Sequence, residues 1–243
     1  MSKKCYVVGI GPGKESQMTK EAEQVLKQVD VIVGYPVYVE LCKQVFPDKE
    51  YCSTPMRKEK ERCQMALSEA AEGKEVAIIC SGDAGIYGMA GLVLSLYEEY
   101  PGVEVEIVPG ITAALSGAAV LGAPLMNDFA VISMSDILTP WETIEKRLCL
   151  AAEADLVICL YNPCSKKRAD YLQKACDIVL RFRQKDTVCG YVRQIGRTGE
   201  EAKLLTLEEL RKAEVDMFTT VFIGNSQTEI MNGKMVTRRG YQI

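Results

Sequence analysis

The sequence predicts an α/β protein of two domains, and three observations predict it. Two runs of strand length, Val76 to Cys80 and Leu156 to Tyr161, are apolar throughout, as strands covered on both faces require. Between the first strand and Val108, strand-like and helix-like segments follow in the order β, α, β, two helices, β, α, β within about 110 residues, the signature of a mainly parallel sheet. Several strands run into glycine-rich turns, above all Ser81-Gly82-Asp83-Ala84-Gly85-Ile86-Tyr87-Gly88, and open α/β sheets bind ligands at such strand ends. Leu121-Gly122-Ala123-Pro124-Leu125 reads as the connection, giving domains over 1–122 and 123–243.

In the first half, Cys5 to Val8 is a strand leading into Gly9-Ile10-Gly11-Pro12-Gly13. Thr19 is placed to cap a helix, because Ala22, Val25, Leu26 and Val29 share a face at spacings of three and four. The strand Asp30 to Gly34 follows, then a helix over Val37 to Val45 that stops before Pro47. The charged segment Arg57 to Arg62, read as a solvated face, opens a third helix that Gly73 terminates. After the Val76 strand and its turn, Met89 to Tyr97 is helical. Val103 to Val108 alternates Glu104 and Glu106 with apolar residues, which suits a strand near a sheet edge.

Pro109-Gly110-Ile111-Thr112 turns into a helix of small residues through Ala119, a composition that serves either a ligand or close packing. Phe129 to Met134 is the next strand, and Thr139-Pro140-Trp141-Glu142 reads as a capping box with Pro at the first helical position. Ile144, Leu148, Ala151 and Ala152 share that helix's face. The second apolar strand ends at Tyr161-Asn162-Pro163, and Ser165 is read as capping a helix with Leu172, Ala175, Cys176, Val179 and Leu180 inward. Val188 to Ile195 is a strand ending at Gly196-Arg197, Thr206-x-x-Glu209 marks a short helix, and Thr219 to Ile223 with Met235 to Thr237 reads as antiparallel edge strands.

Composition narrows the function. The 243 residues carry a net charge of −4, against the basic footprint of a general nucleic-acid binder. No apolar run reaches membrane-span length and Met1-Ser2-Lys3-Lys4 leads directly into a strand, so the expectation is a cytoplasmic protein with no membrane segment. Ten cysteines without a C-x-x-C pair read as reduced thiols. The absence of histidine excludes His-containing zinc sites, Ser-His-Asp triads and Cys-His dyads, and no metal site is expected. Proton transfer falls to carboxylates, thiols, phenols, lysines or water.

The glycine turns are not phosphate cradles. Position 14, where a dinucleotide fingerprint needs its third glycine, is Lys14, and Pro12 has no N–H to donate. Gly13-Lys14, Gly73-Lys74 and Gly233-Lys234 lack the Ser or Thr of a Walker loop. Around Asp83 two readings stand: a ligand wall in which the carboxylate meets a ribose or an ammonium, and a tight strand-to-helix turn in which Asp83 merely caps the helix.

Gly9 to Gly13, Ser81 to Gly88, Pro109-Gly110-Ile111-Thr112-Ala113-Ala114 and Tyr161-Asn162-Pro163, in this order and nearly end to end, resemble the tetrapyrrole methylases of corrin and siroheme synthesis. Ile132 to Glu142, Tyr161 to Arg168 and Thr237-Arg238-Arg239-Gly240-Tyr241 resemble the branch that methylates C17 of a precorrin-3-type ring with ring contraction. The resemblance implies a two-domain fold with a cofactor cleft between the domains, usually a homodimer, using S-adenosylmethionine on a small-molecule tetrapyrrole. Carried over by position, it implies cofactor contacts from Pro12, Ser81, Gly82, Asp83, Ile86, Thr112, Ala113, Asn162 and Gly196. Asn127 stands where many relatives are expected to have His.

Methyl transfer from a sulfonium asks mainly for alignment and exclusion of water. Ring contraction and lactone formation are the steps that can use an acid or base, and Asp128, Ser135 and Asp136 are the candidates. The substrate's acetate and propionate groups need fixed cations, for which Arg168 and Arg193 are preferred among Lys166, Lys167, Arg197, Arg57 and Lys58. Trp141 and Tyr87 are candidates to face the macrocycle. The competing readings are a methylase of the same fold acting on another ring carbon, on diphthine or on ribosomal RNA, a non-catalytic nucleoside sensor, and a nicotinamide dehydrogenase.

Overall fold

The computed structural model describes residues 3–165 and 168–240. The chain divides into two compact units between Ala113 and Ala114.

The first unit contains β1 (Lys3–Gly9), α1 (Lys20–Gln28), β2 (Val31–Gly34), α2 (Pro36–Lys43), β3 (Glu50–Ser53), α3 (Glu59–Ala71), β4 (Val76–Cys80), α4 (Ala90–Leu96) and β5 (Val103–Val108). Its five strands lie in the order β3-β2-β4-β1-β5, and every pairing is parallel. β4 is the central strand, and its residues divide by alternation. Val76, Ile78 and Cys80 enter the cluster packed under α3 and α4. Ala77 and Ile79 enter the one under α1 and α2. Two covered faces explain the unbroken apolar run, and each large aliphatic side chain so buried contributes roughly 1.5–3 kcal/mol.

Local signals act as expected here. Thr19 Oγ1 accepts the Ala22 N–H at 3.1 Å, and Ala22, Leu26 and Val29 are fully buried. Gly73, with φ +101°, ends α3. β5 is an edge strand with Glu104 and Glu106 exposed, and Lys4 of β1 pairs with both carboxylates across the strands. β3 is an addition to the expected elements: Glu-Tyr-Cys-Ser carries no apolar pattern and is placed at the sheet edge by pairing with β2.

The second unit opens with α5 (Ala113–Leu121), which starts at the division, and continues with β6 (Gly122–Ala123), β7 (Phe129–Ser133), α6 (Trp141–Glu153), β8 (Val157–Tyr161) and α7 (Tyr171–Val179). It finishes with β9 (Val188–Arg193), β10 (Glu201–Thr206), α8 (Leu207–Leu210), β11 (Thr219–Ile223), β12 (Thr228–Met231) and β13 (Lys234–Thr237). A mixed sheet runs β10-β9-β11-β8-β7, and a small one runs β12-β13-β6. Ala114 to Leu121 of α5 belong to this unit, whereas the boundary expected from the sequence follows Gly122. Contacts explain the difference. A Cβ on Gly117 would lie 2.9 Å from Phe222 Cζ and 3.0 Å from Ile195 Cδ1, so this helix of small residues is pressed against side chains of β11 and of the turn after β9.

Three local expectations are corrected. β11 is not an edge strand: it sits in the middle of its sheet, antiparallel to both β8 and β9, and is buried throughout. The start of α6 has no side-chain cap; Pro140 is itself the N-cap, so Thr139 stands one residue too early for a capping box. Ser165 does not cap α7, whose N-cap is Asp170; its hydroxyl accepts from Arg168 Nε instead, at 3.0 Å. The Thr206–Glu209 box is present in full on α8. All ten cysteines are free, and seven are buried.

Candidate functional site

In the first unit, the carboxyl ends of β1, β4 and β5 converge on a junction of bare backbone. A Cβ on Gly9 would lie 2.7 Å from both Gly110 N and Gly82 O, and one on Gly110 would lie 2.1 Å from Gly82 O. No side chain fits at either position. Gly11 and Gly82 exchange two hydrogen bonds, N–H to O at 3.0 and 2.7 Å, and both adopt positive φ, +73° and +71°, which favours glycine.

Asp83 ties this junction together. Its Oδ1 accepts the Gly85 and Ile86 N–H groups at 2.8 and 2.9 Å, and its Oδ2 accepts Gly110 N–H at 3.0 Å. Burial pushes the carboxyl up, but the N–H groups of Gly110, Ile86, Gly85 and Ala84 outweigh it and hold the group below the usual carboxylate range. A fixed negative charge is thus held where two turns meet. Asp83 does not cap α4, whose N-cap is Met89 with no side-chain bond; its carboxylate instead ties the two turns together and keeps a charge at a strand end.

The other expected cofactor residues of this unit lie on the same junction. Pro12 is buried directly after Gly11. Thr112 Cα and Ala113 N stand 3.5 and 3.6 Å from where a Gly82 Cβ would be. Ser81 is half-buried at the start of the turn, and Ile86 is exposed on it. Beneath the turn, Cys80 Sγ accepts Met89 N–H at 3.2 Å, and burial pushes that thiol up to about 11.

In the second unit, β7 and β8 run parallel with Ser133 paired to Tyr161, so their carboxyl ends bring a second set together. Asn162, at φ +53°, donates from Nδ2 to Ser133 Oγ at 3.1 Å, and Ser135 N–H donates to the same oxygen at 3.3 Å. Tyr161 Oη accepts Ala114 N–H from the start of α5 at 2.8 Å. Asp136 accepts from Tyr171 Oη at 2.6 Å and from Arg168 Nη1 at 3.4 Å. The Tyr171 bond is the largest reason its carboxyl lies below the ordinary value, burial opposing and Arg168 and Lys174 assisting. Tyr171→Phe is therefore expected to raise the Asp136 carboxyl toward its ordinary 3.8 in a side-chain NMR titration; an unmoved midpoint would assign the depression to the cations instead.

The remaining expected residues are distributed over both units, each with its own surroundings. Asp128 is exposed at the amino end of β7, where its carbonyl accepts Val157 N–H. At about 3.3 Å per strand residue, it lies roughly 20 Å from Ser135. Arg193 ends β9 and donates to Asp216 at 2.7 Å. Gly196, at φ +69°, donates its N–H to Glu200 at 2.6 Å. Arg197 lies over the Phe218 ring. Lys58 pairs with Glu61, and Arg57 holds φ +68°. Trp141 packs on Tyr171 with ring centroids 4.6 Å apart, against the core, while Tyr87 is exposed. Lys166, Lys167 and Tyr241 lie outside the described residues.

Sequence reasoning missed Tyr171, which sits on the first turn of α7 and holds Asp136, and Arg62, which is buried instead of solvated. A signal existed for Arg62: with Ala66 and Ala70 it falls at four-residue spacing on the inner face of α3. Among the described residues no helix is long and apolar enough to cross a membrane, and no group of three or more Cys, Asp or Glu is placed to hold a metal ion.

A family described as tetrapyrrole (corrin/porphyrin) methylases matches residues 4–211. The chain is 48% identical over 238 residues to a protein of Salmonella typhimurium named "Probable cobalt-factor III C(17)-methyltransferase", covering 98% of this chain and 99% of that one. It is 39% identical to the "Precorrin-3B C(17)-methyltransferase" of Sinorhizobium sp, covering 95% and 92%. Against longer relatives it spans about half of their length, 46% of one and 53% of another. Among solved structures, the crystal structure of the methyltransferase CobJ superposes with a TM-score of 0.87 at 34% identity, covering 96% of this chain and 99% of that one.

Proposed function

The chain belongs to the tetrapyrrole (corrin/porphyrin) methylase family, and from that premise we propose that it is an S-adenosylmethionine-dependent C-methyltransferase acting at C17 of a cobalt-bearing precorrin-3-type ring in cobalamin biosynthesis. The observation that carries the reading is the 48% identity sustained over nearly the whole of both chains to a protein named for cobalt-factor III. We further propose that it works as a homodimer in the cytoplasm on this small-molecule substrate, without nucleic acid or membrane.

The residues of the first unit fit such a cofactor. Their backbone junction offers N–H groups and bare glycines without a phosphate cradle, and the cofactor has no phosphate. Asp83 supplies a fixed negative charge for a ligand that carries an ammonium and a sulfonium. When bound, the cofactor supplies an activated methyl group. By position in the family, Pro12, Ser81, Gly82, Asp83, Ile86, Thr112, Ala113, Asn162 and Gly196 are the residues proposed to hold it. The chain's own work is orientation and exclusion of water.

For the proton steps of ring contraction, Asp136 is preferred over Asp128. With Ser135, Asn162 and Arg168 it follows the paired carboxyl ends of β7 and β8, and its bond from Tyr171 holds a proton at a phenol oxygen beside an ionised carboxylate. Arg168 remains the substrate-facing cation, already oriented by Ser165 and Asp136. Arg193 is proposed in the same role, with Asp216 holding its guanidinium.

The test is anaerobic incubation with methyl-labelled S-adenosylmethionine, offering the cobalt-bearing substrate and metal-free precorrin-3B separately, with products read by mass spectrometry and carbon NMR. Label at C17 of a contracted ring from the cobalt substrate is the expected result. Label from precorrin-3B alone would keep the methyltransferase and replace the substrate. No transfer to either, with cofactor bound, would overturn the reading in favour of another ring carbon or a nucleoside sensor.

A further inference from the structure

The first unit carries an open depression lined by Tyr35, Tyr38, Arg62, Ser81, Tyr87 and Met89, among others. Arg62 sets its chemistry. The side chain projects from α3, is only 4% exposed, and donates from Nη2 to the carbonyls of Thr54 and Pro55 at 3.0 and 3.1 Å. Its guanidinium carbon lies 5.8 Å from the centre of the Tyr35 ring, and Tyr35 meets Tyr38 edge-on at 5.4 Å. Two carbonyls and a π face compensate part of the charge. Nε, closed off from water, has no hydrogen-bond partner, and Arg62 makes no ion pair with any described carboxylate. A buried cation left in this condition is costly unless an anion completes it.

We propose that this depression is a carboxylate subsite, with Arg62 as the cation and the tyrosines as apolar walls for the chain that bears the carboxylate. A guanidinium matches a carboxylate in geometry as well as charge. The proposal rests on the function above in one respect, the source of the carboxylate: a propionate or acetate arm of the macrocycle, or the methionyl end of the cofactor. The depression begins at Ser81 and Tyr87, on the turn that also carries Asp83, so either source is adjacent to the cofactor residues of this unit.

Because Arg62 also anchors Thr54 and Pro55, the primary measurement uses the unaltered protein. Its side-chain Nε–H resonance, labelled with nitrogen-15 and assigned by its loss in Arg62→Lys, is followed while propionate, propionamide, S-adenosylhomocysteine and the tetrapyrrole are titrated separately. A saturable shift with propionate and none with propionamide is expected. A shift with S-adenosylhomocysteine, together with about a tenfold or greater loss of its affinity in Arg62→Lys, assigns the cofactor as source. The same pair of results with the tetrapyrrole assigns the substrate. If both ligands bind and the resonance moves with neither them nor propionate, the subsite is overturned. If propionate shifts the resonance but neither larger ligand binds, the subsite stands and the proposed function fails.

Discussion

Gly110→Ala is expected to lower the unfolding free energy by about 3 kcal/mol, because the new methyl group meets backbone and not a movable side chain. Its Cβ would stand 2.1 Å from Gly82 O and 2.5 Å from Gly9 O. Relief requires β1, β4 and β5 to separate at their carboxyl ends, which would also break the Gly110 N–H bond to Asp83. Affinity for S-adenosylhomocysteine should therefore fall with stability. Gly91→Ala is the matched control: Gly91 lies inside α4 with open space around its missing Cβ, so alanine there should stabilise by about 0.5–1 kcal/mol. Urea denaturation of the two variants checks both signs, and a loss below about 1 kcal/mol at Gly110 would mean that the junction yields more easily than its contacts imply.

Asp83→Ala should cost about 2 kcal/mol, since three N–H groups on two turns lose their acceptor at once. Cofactor affinity should fall further, about a hundredfold, because the turn geometry and the negative charge disappear together. Asp83→Asn separates these causes by keeping an acceptor oxygen and removing the charge. It also carries a pH signature. The native carboxyl lies below its ordinary value of 3.8, so its contribution is fully present above the unfolded-state pKa and is lost as pH falls through the lower native one. The stability difference between wild type and Asp83→Asn should thus shrink below about pH 4. Parallel acid limbs in the two proteins would show that the charge contributes nothing to folding.

The parts of the fold legible in sequence were those in which one physical cause dominates. Val76 to Cys80 had to be apolar because both of its faces are covered, and Thr19 and the Thr206–Glu209 box are local hydrogen-bond solutions. Strands that exist by pairing alone were not legible: β3 is Glu-Tyr-Cys-Ser, and β10 begins Glu-Ala-Lys with those residues exposed. The central place of β11 is a matter of chain path, which its own apolar residues do not encode. At the site, the glycine turns announced a close backbone junction, and the structure gathers Pro12, Gly82, Asp83, Thr112 and Ala113 there. Asp128 was grouped with Asp136 from proximity along the chain, but one strand carries them to opposite ends. Arg62 was read as solvated because charge usually outweighs spacing, and here spacing wins.

The buried thiols bear on a hazard that any handler of a methylating electrophile faces: alkylating itself. The sulfur form that attacks such donors is the thiolate. With Cys80 held at about 11, roughly one molecule in ten thousand is ionised at pH 7, and about a hundredfold more would be at the ordinary value of 9.0. Cys5, Cys42, Cys63 and Cys176 are pushed by burial to about 12, and Cys159 and Cys189 are raised as well. Packing that serves the core thus leaves its sulfurs chemically inert, even directly beneath the turn where the methyl donor is proposed to sit.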